Sequence, residues 1–194
     1  YSSYVIMPAS FDNFNHFLQK LTKDRVYILD RIRPELNEYP VIYQDFESDV
    51  YEGLVSVRNL LEKYRRLIFI YPGGKEPPER VLGFKKFCQE FKFESKVVKS
   101  LNEIKPALYD VFLVPSDRTL VELVHLVQEY EYEIGTKFGI ISFNDSLFKQ
   151  VVAGGITTIS TDFIQMGRLL SEMVLQKKMV QIRNKSGIIV RKSL

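Results

Sequence analysis

Short apolar runs alternate with helix-like segments along almost the whole chain, and this alternation limits the fold more than any other feature. Runs such as "VYILD" (26–30), "LIFIY" (67–71) and "FGIISF" (138–143) predict strands buried on both faces. Apolar residues recur at helical spacing in the segments predicted to follow Asp12, Asp49 and Asp117, and "GIIVRKS" (187–193) predicts a closing strand. The order predicts an α/β protein with parallel sheets between helices.

The composition is that of an ordinary globular protein. Hydrophobic residues make up 45% of the chain, charged residues 26%, and the formal net charge is +3. The basic residues are scattered, so charge does not indicate nucleic-acid binding by this segment. No apolar run approaches the roughly 20 residues of a membrane span, and we expect no membrane partner. The single cysteine, Cys88, fits a reducing compartment, and we expect a cytoplasmic protein.

The sequence shows no pattern typical of catalysis or metal binding. His16 and His125 fall on predicted helices away from strand ends, and no Cys/His cluster has metal-ligand spacing. The segment "YPGGK" (71–75) lacks the glycine spacing of a phosphate-binding loop and indicates a turn. We therefore expect no enzyme activity, no metal and no cofactor.

Polar residues gather instead where the predicted strands end. Ligands of open α/β sheets bind outside the carboxyl ends of the strands. Carboxylates, amides and hydroxyls suit a polyhydroxylated ligand, because each sugar hydroxyl both donates and accepts hydrogen bonds. For any one of these residues, the general frequency of such turns and caps favours a turn former or a helix cap over a ligand contact. The candidates are Ser10, Asp30, Ser116, Asp117 and Asn144, with Tyr71, Phe143 and Phe163 as aromatic neighbours.

Several segments resemble the LacI/GalR-type effector-binding domain. Its last third is similar to "FGIISFND" (138–145), "GGITTISTDFIQMGRLLSEMVL" (154–175) and "GIIVRKSL" (187–194), in order and spacing. Earlier, "ERVLGFKKF" (79–87) resembles the family's Arg-x-x-Gly-Phe helix start, and "VFLVPSDRTL" (111–120) stands in place of an Asn-Asp strand end. The motifs are short, but their order covers nearly the whole chain.

This resemblance implies a two-lobed fold like that of the type I periplasmic binding proteins, with a small ligand between the lobes. It places residues 1–45 and 161–183 in the N-terminal lobe, and 46–160 and 184–194 in the C-terminal lobe. The family's first two strands have no counterpart here, so we expect an incomplete N-terminal lobe. The Gly154-Gly155 break then leads the chain back toward the N-terminal lobe, where Asp162 caps a helix.

The same resemblance implies the effector-binding and dimerisation domain of a bacterial transcription regulator, with a sugar or sugar derivative as effector. DNA would be bound by a separate N-terminal domain of the LacI or the GntR type, and both types stay open. Two other classes compete. One is the sugar-binding protein of a transport system, and the other is a small sugar-modifying α/β enzyme, although the latter would need a base–nucleophile pair.

Arg80 is the most specific site prediction. A cation is unfavourable near a helix N-terminus, so either a ligand or simple pairing with Glu76 or Glu79 has to explain it. The resemblance matches Arg80 to the Arg of Arg-x-x-Gly-Phe, a recurrent effector contact, and we expect it to add little to folding stability. Departures from the family pattern at Ser116 and Asn144 leave the identity of the effector open. The implied effector contacts are Arg80, Asn144, Asp30, Ser116, Asp117, Phe163 and Ser10.

Overall fold

The computed structural model describes residues 2–8 and 14–194. The strands are β1 (Tyr4–Ile6), β2 (Val26–Asp30), β3 (Val41–Tyr43), β4 (Arg66–Ile70), β5 (Glu94–Val98), β6 (Asp110–Val114), β7 (Gly139–Phe143), β8 (Thr157–Thr161), β9 (Gln181–Arg183) and β10 (Ser186–Ile189). The helices are α1 (Phe14–Leu18), α2 (Phe46–Ser56), α3 (Arg58–Leu61), α4 (Glu79–Glu90), α5 (Asp117–Glu129), α6 (Leu147–Val151) and α7 (Phe163–Leu175). Within the described ranges, no helix has the length and apolarity needed to cross a membrane.

The chain divides into two compact units, each built around its own sheet. Unit 1 contains Tyr1–Asp45 and Thr161–Lys185, and unit 2 contains Phe46–Ser160 and Ser186–Leu194. The chain therefore passes from one unit to the other after residues 45, 160 and 185, whereas the predicted lobes change after residues 45, 160 and 183.

Unit 1 is built on a four-stranded parallel sheet in the order β1-β2-β3-β9. Successive residues of β2 point to opposite faces, as the strand period requires. Val26 and Ile28 join one buried cluster with Leu36, and Tyr27 joins another with Met173 of α7. Burial on both faces explains why "VYILD" is apolar without alternation.

Unit 2 is built on a six-stranded sheet in the order β10-β8-β7-β6-β4-β5. From β8 to β5 all neighbouring strands are parallel. Leu67 and Phe69 of β4 pack into the cluster that contains residues of α2, α3 and α4, while Ile68 and Ile70 pack into the cluster that contains residues of α5. The predicted α/β fold with parallel sheets is thus confirmed, and the carboxyl ends of β4, β6 and β7 lie at one edge of this sheet.

Several local predictions are wrong. The second helix begins at Phe46, so Asp49 lies inside it and accepts hydrogen bonds from the backbone N–H and Oγ of Ser186 at 3.4 and 3.0 Å. The closing strand ends at Ile189, short of the predicted residue 193, and the residues after it are held by side-chain bonds together with single backbone bonds, such as that from the Ile140 N–H to the carbonyl of Ser193 at 2.9 Å. Two short elements, α6 and β9, were not predicted, since three to five residues are too few to show a period.

Candidate functional site

Arg80 lies at the carboxyl edge of the unit 2 sheet, in the first turn of α4. Only 8% of the residue is exposed. Its Nη1 donates to Oε2 of Glu76 at 2.9 Å, and its guanidinium lies 4.4 Å from the ring centroid of Phe143 and 5.3 Å from that of Phe46. Arg80 therefore does pair with Glu76, as one of the two interpretations required. The pair is largely buried, and the guanidinium lies over two aromatic rings. These buried contacts argue against the expectation that Arg80 adds little to folding stability, and its effect on stability stays a prediction.

Asn144 directly follows β7, next to the buried Phe143. Its backbone has φ +60°, in the left-handed region that Asn tolerates better than most residues. The Asn144 N–H donates to the carbonyl of Ile159 at 2.9 Å, and its side chain is exposed. The turn thus places the amide side chain of Asn144 at the end of the strand. The preceding residue, Phe143, carries the ring over which Arg80 lies.

Ser116 and Asp117 stand where β6 passes into α5. Ser116 is the N-cap of α5, and its Oγ accepts from the backbone N–H of Thr119 at 3.2 Å. The helix-cap interpretation of Ser116 is therefore what the structure shows, whereas its predicted effector contact stays a prediction. The Asp117 side chain is 59% exposed, and its Oδ1 lies 3.0 Å from Nζ of Lys149.

Lys149 was not among the predicted site residues. It is buried in α6, and besides Asp117 it contacts the carbonyl oxygens of Phe143 and Asn144. It therefore connects the end of β7 to the start of α5. No sequence signal could have found it, because a lone lysine in a five-residue helix ordinarily lies in solvent.

Asp145, the neighbour of Asn144, is engaged in an ion pair within unit 2. Arg191 holds its carboxylate with two hydrogen bonds of 2.7 and 2.8 Å, and the Thr158 hydroxyl donates to it at 3.2 Å. The Arg191 guanidinium holds the pKa of the Asp145 carboxyl below its ordinary value. Since its oxygens are occupied by these donors, Asp145 serves the structure of unit 2 rather than standing open to a ligand.

The remaining candidates belong to unit 1. Asp30 ends β2 with φ +90° and accepts a hydrogen bond from the Gln44 amide, whose oxygen in turn accepts one from the hydroxyl of Thr161. Phe163 begins α7 and is 53% exposed, next to Asp162, which caps that helix by accepting from the N–H of Gln165 at 2.8 Å.

Ser10 and Asp12 lie outside the described residues. Arg80, Ser116, Asp117 and Asn144 thus share the carboxyl edge of one sheet, while Asp30 and Phe163 belong to the other unit; the assignment of all of them as effector contacts stays a prediction. In the part of the chain that the structure describes, no cluster of His, Cys, Asp or Glu is arranged to hold a metal ion.

Two α/β units, each with its own sheet and joined by three passages of the chain, define a class of two-unit α/β folds. Residues 58–193 match the model of the periplasmic binding protein-like domain family. This match covers well over half of the chain, and the chain belongs to that family. None of the curated protein sequences compared with the chain matches it.

Solved structures share the fold at low sequence identity. A probable maltose operon transcriptional repressor, MalR, from Staphylococcus aureus superimposes with TM-score 0.78 at 15% identity, over 99% of this chain and 75% of that one. A sugar-binding transcriptional regulator of the LacI family from Escherichia coli, complexed with phosphate, has TM-score 0.76 at 12% identity, over 100% and 77% of the two chains. The transcriptional regulator CelR in its cellobiose complex has TM-score 0.74 at 14% identity, over 100% and 66%. The predicted fold resemblance is confirmed.

Proposed function

We propose that this chain is the effector-binding domain of a transcription regulator and that its effector is a sugar or sugar derivative. Membership of the periplasmic binding protein-like domain family supports a ligand-binding role without catalysis. The solved structures described above are those of transcription regulators, which favours this role over transport.

The observation that carries the proposal is the set of polar and aromatic groups at the carboxyl edge of the unit 2 sheet. Arg80 lies on Phe143, the Asn144 side chain follows in an exposed turn, and Asp117 stands at the start of α5. Guanidinium, amide and carboxylate groups together supply the donors and acceptors that sugar hydroxyls need. This edge is also where ligands bind in open α/β sheets.

The charges at this edge support a neutral ligand. Arg80 pairs with Glu76, and Lys149 pairs with Asp117. Each of these cations thus has an anionic partner, which weakens the attraction of a phosphate or a sugar acid compared with a bare cation. We therefore infer that uncharged sugars bind better than their phosphates.

The test is a ligand screen on the purified protein. Thermal shift followed by calorimetric titration would compare maltose, cellobiose, common monosaccharides and the monosaccharide phosphates. We expect at least one neutral sugar to raise the melting temperature, because a ligand that binds only the folded state stabilises it. Stabilisation by phosphates or nucleotides alone would contradict the neutral-sugar proposal.

Regulation adds a second part to the proposal. We infer that the domain acts in a homodimer whose DNA affinity changes when the effector binds, a coupling between two sites. Sedimentation measurements test the dimer, and operator-binding assays on the protein that includes the proposed DNA-binding domain, with and without the sugar, test the coupling. A monomer whose sugar binding leaves DNA binding unchanged would favour a transport role instead.

A further inference from the structure

Lys149 is buried although it carries an ammonium group. It is 3% exposed, in the first turn of α6, a helix capped by Ser146. Its Nζ lies 2.6 Å from the carbonyl oxygen of Phe143, 2.8 Å from that of Asn144 and 3.0 Å from Oδ1 of Asp117. These three acceptors match the three N–H donors of an ammonium group.

Burial of an ammonium is costly unless its donors and its charge are compensated. Here the compensation comes from two places that are far apart in sequence. Two acceptors are backbone carbonyls at the end of β7, and the third is a carboxylate in the first turn of α5. One side chain therefore binds the left-handed turn at Asn144 to the helix that begins at Asp117.

We propose that Lys149 is the positioning residue of the unit 2 site: it holds the Asn144 turn and Asp117 in place without contacting the effector. Its burial keeps it from solvent, while both segments that it binds carry predicted effector contacts. The part that concerns effector affinity rests on the proposed function, whereas the part that concerns the turn stands independently of any ligand.

The first experiment measures amide hydrogen exchange in the ligand-free whole protein. Lys149→Met keeps a long apolar side chain and removes all three donors. The Asn144 N–H, which donates to Ile159, is expected to exchange at least about tenfold faster, because the turn opens locally more often. The matched control is Lys137→Met at an exposed lysine, and it should leave Asn144 exchange unchanged. Equal exchange rates in the two variants would overturn the proposal.

The second experiment measures affinity by calorimetry, with maltose or cellobiose as the probe, whichever the unsubstituted protein binds. Lys149→Met should bind about tenfold more weakly, since the polar groups of the site lose their fixed positions. Unchanged affinity despite faster exchange would overturn the effector half of the proposal. If the unsubstituted protein binds neither sugar, the proposed function loses support, and the exchange result still decides whether Lys149 holds the turn.

Two further variants separate positioning from general stability. Leu123→Ala removes a buried side chain of α5 that lies in the core cluster away from these contacts, so the whole unit is destabilised. We expect it to leave local exchange at Asn144 and sugar affinity unchanged under native conditions. Should Lys149→Met fail to fold, Lys149→Gln, which retains an amide donor, takes its place. Its Asn144 N–H should exchange faster than that of the unsubstituted protein, and an equal rate would overturn the proposal.

Discussion

The guanidinium of Arg80 combines a carboxylate partner with aromatic contacts. Glu76 accepts from it at 2.9 Å, and the rings of Phe143 and Phe46 lie within 4.4 and 5.3 Å of it. A buried arginine of this kind contributes to packing, to charge balance and to a potential ligand contact at once. Its substitution is therefore expected to affect both folding stability and effector binding.

We predict that Arg80→Ala weakens effector binding by about 2–3 kcal/mol, the range for losing a charged hydrogen-bond donor. The free energy of unfolding should fall by about 1–3 kcal/mol, because Glu76 loses its partner and the rings lose their contact. The matched control is Arg66→Ala, which breaks a similar pair with Asp110 (2.7 Å) at the amino-terminal ends of β4 and β6. That control should lose stability and keep effector affinity in calorimetry; an equal loss of affinity in both variants would contradict the role of Arg80.

Tyr64 carries a buried hydroxyl that has no hydrogen-bond partner among the described residues. Burial raises its pKa to about 12. An unsatisfied buried hydroxyl stabilises nothing, so Tyr64→Phe should leave the free energy of unfolding at pH 7 unchanged or raise it by up to about 1 kcal/mol. Denaturant titration measures this, and a clear loss of stability would indicate a hidden partner for the hydroxyl.

The pH dependence of the same variant has a definite sign. Because burial raises the folded-state pKa of Tyr64 to about 12, the folded state keeps the phenol proton above the unfolded pKa of about 10, and the unsubstituted protein loses stability as the pH rises between these values. The stability of Tyr64→Phe relative to the unsubstituted protein should therefore increase between these two pH values. Parallel curves over this range would contradict the assignment.

At the level of elements, the packing of α2 on α4 depends on one glycine. A Cβ added at Gly83 would lie 2.1 Å from the carbonyl oxygen of Glu47, which is backbone and cannot turn aside. Gly83 is also the glycine of the Arg-x-x-Gly-Phe element, and the following Phe84 is fully buried. The motif therefore has a packing function in α4 as well as its predicted function at Arg80.

We predict that Gly83→Ala lowers the free energy of unfolding by about 1–3 kcal/mol, the usual cost of overpacking. Gly167→Ala in α7 is the matched control, since a Cβ there meets no other atom within 4 Å. This control should stabilise the protein by up to about 1 kcal/mol, because alanine is the better helix former. Chemical denaturation of both variants measures the difference, and equal effects would mean that α2 and α4 are farther apart in solution.

At the level of the whole molecule, the last residues of the chain belong to unit 2, although the segment just before them belongs to unit 1. Arg191 binds Asp145, and the Ser193 hydroxyl donates to the carbonyl of Ile140 at 2.6 Å while accepting from the N–H of Thr157 at 2.8 Å. Leu194 belongs to the buried cluster that contains residues of α2, α3 and α4. Unit 2 therefore depends on contacts between residues that are far apart in sequence.

We predict that Arg191→Ala lowers the free energy of unfolding at pH 7 by about 2–3 kcal/mol, since two charged hydrogen bonds are lost. The folded-state pKa of Asp145 is lowered, so its contribution is present above the unfolded pKa of about 4 and is lost as the pH falls below it. The difference between variant and unsubstituted protein should accordingly shrink toward pH 3 in urea titrations.

Arg118→Ala serves as the matched control for this pair. Its partner Glu122 lies at 3.0 Å on the exposed face of α5, where an ion pair contributes at most about 0.5 kcal/mol. If Arg191→Ala and Arg118→Ala lose the same amount of stability, the ion pair of Arg191 contributes no more than an exposed pair, and the prediction is wrong.

The class of the fold could be predicted from the residue pattern alone, because burial of a strand or a helix face leaves a local pattern of apolar residues in each segment. Continuous apolar runs predicted the buried parallel strands β2, β4, β6 and β7. The order of short motifs indicated the family. The helix cap at Asp162 was predicted as well, since its signal lies within a few residues, whereas the start of α2 and the end of β10 were not.

Which polar groups are occupied by partners within the protein depends instead on tertiary packing. Lys149 meets Asp117, Asp145 meets Arg191 46 residues later in the chain, and Gly83 meets the backbone of Glu47. None of these contacts has a local signal, because partners distant in sequence are chosen by the packing of helices and strands. The proposed roles of Arg80 and Lys149 therefore rest on their burial and their partners, which no periodic pattern in the sequence shows.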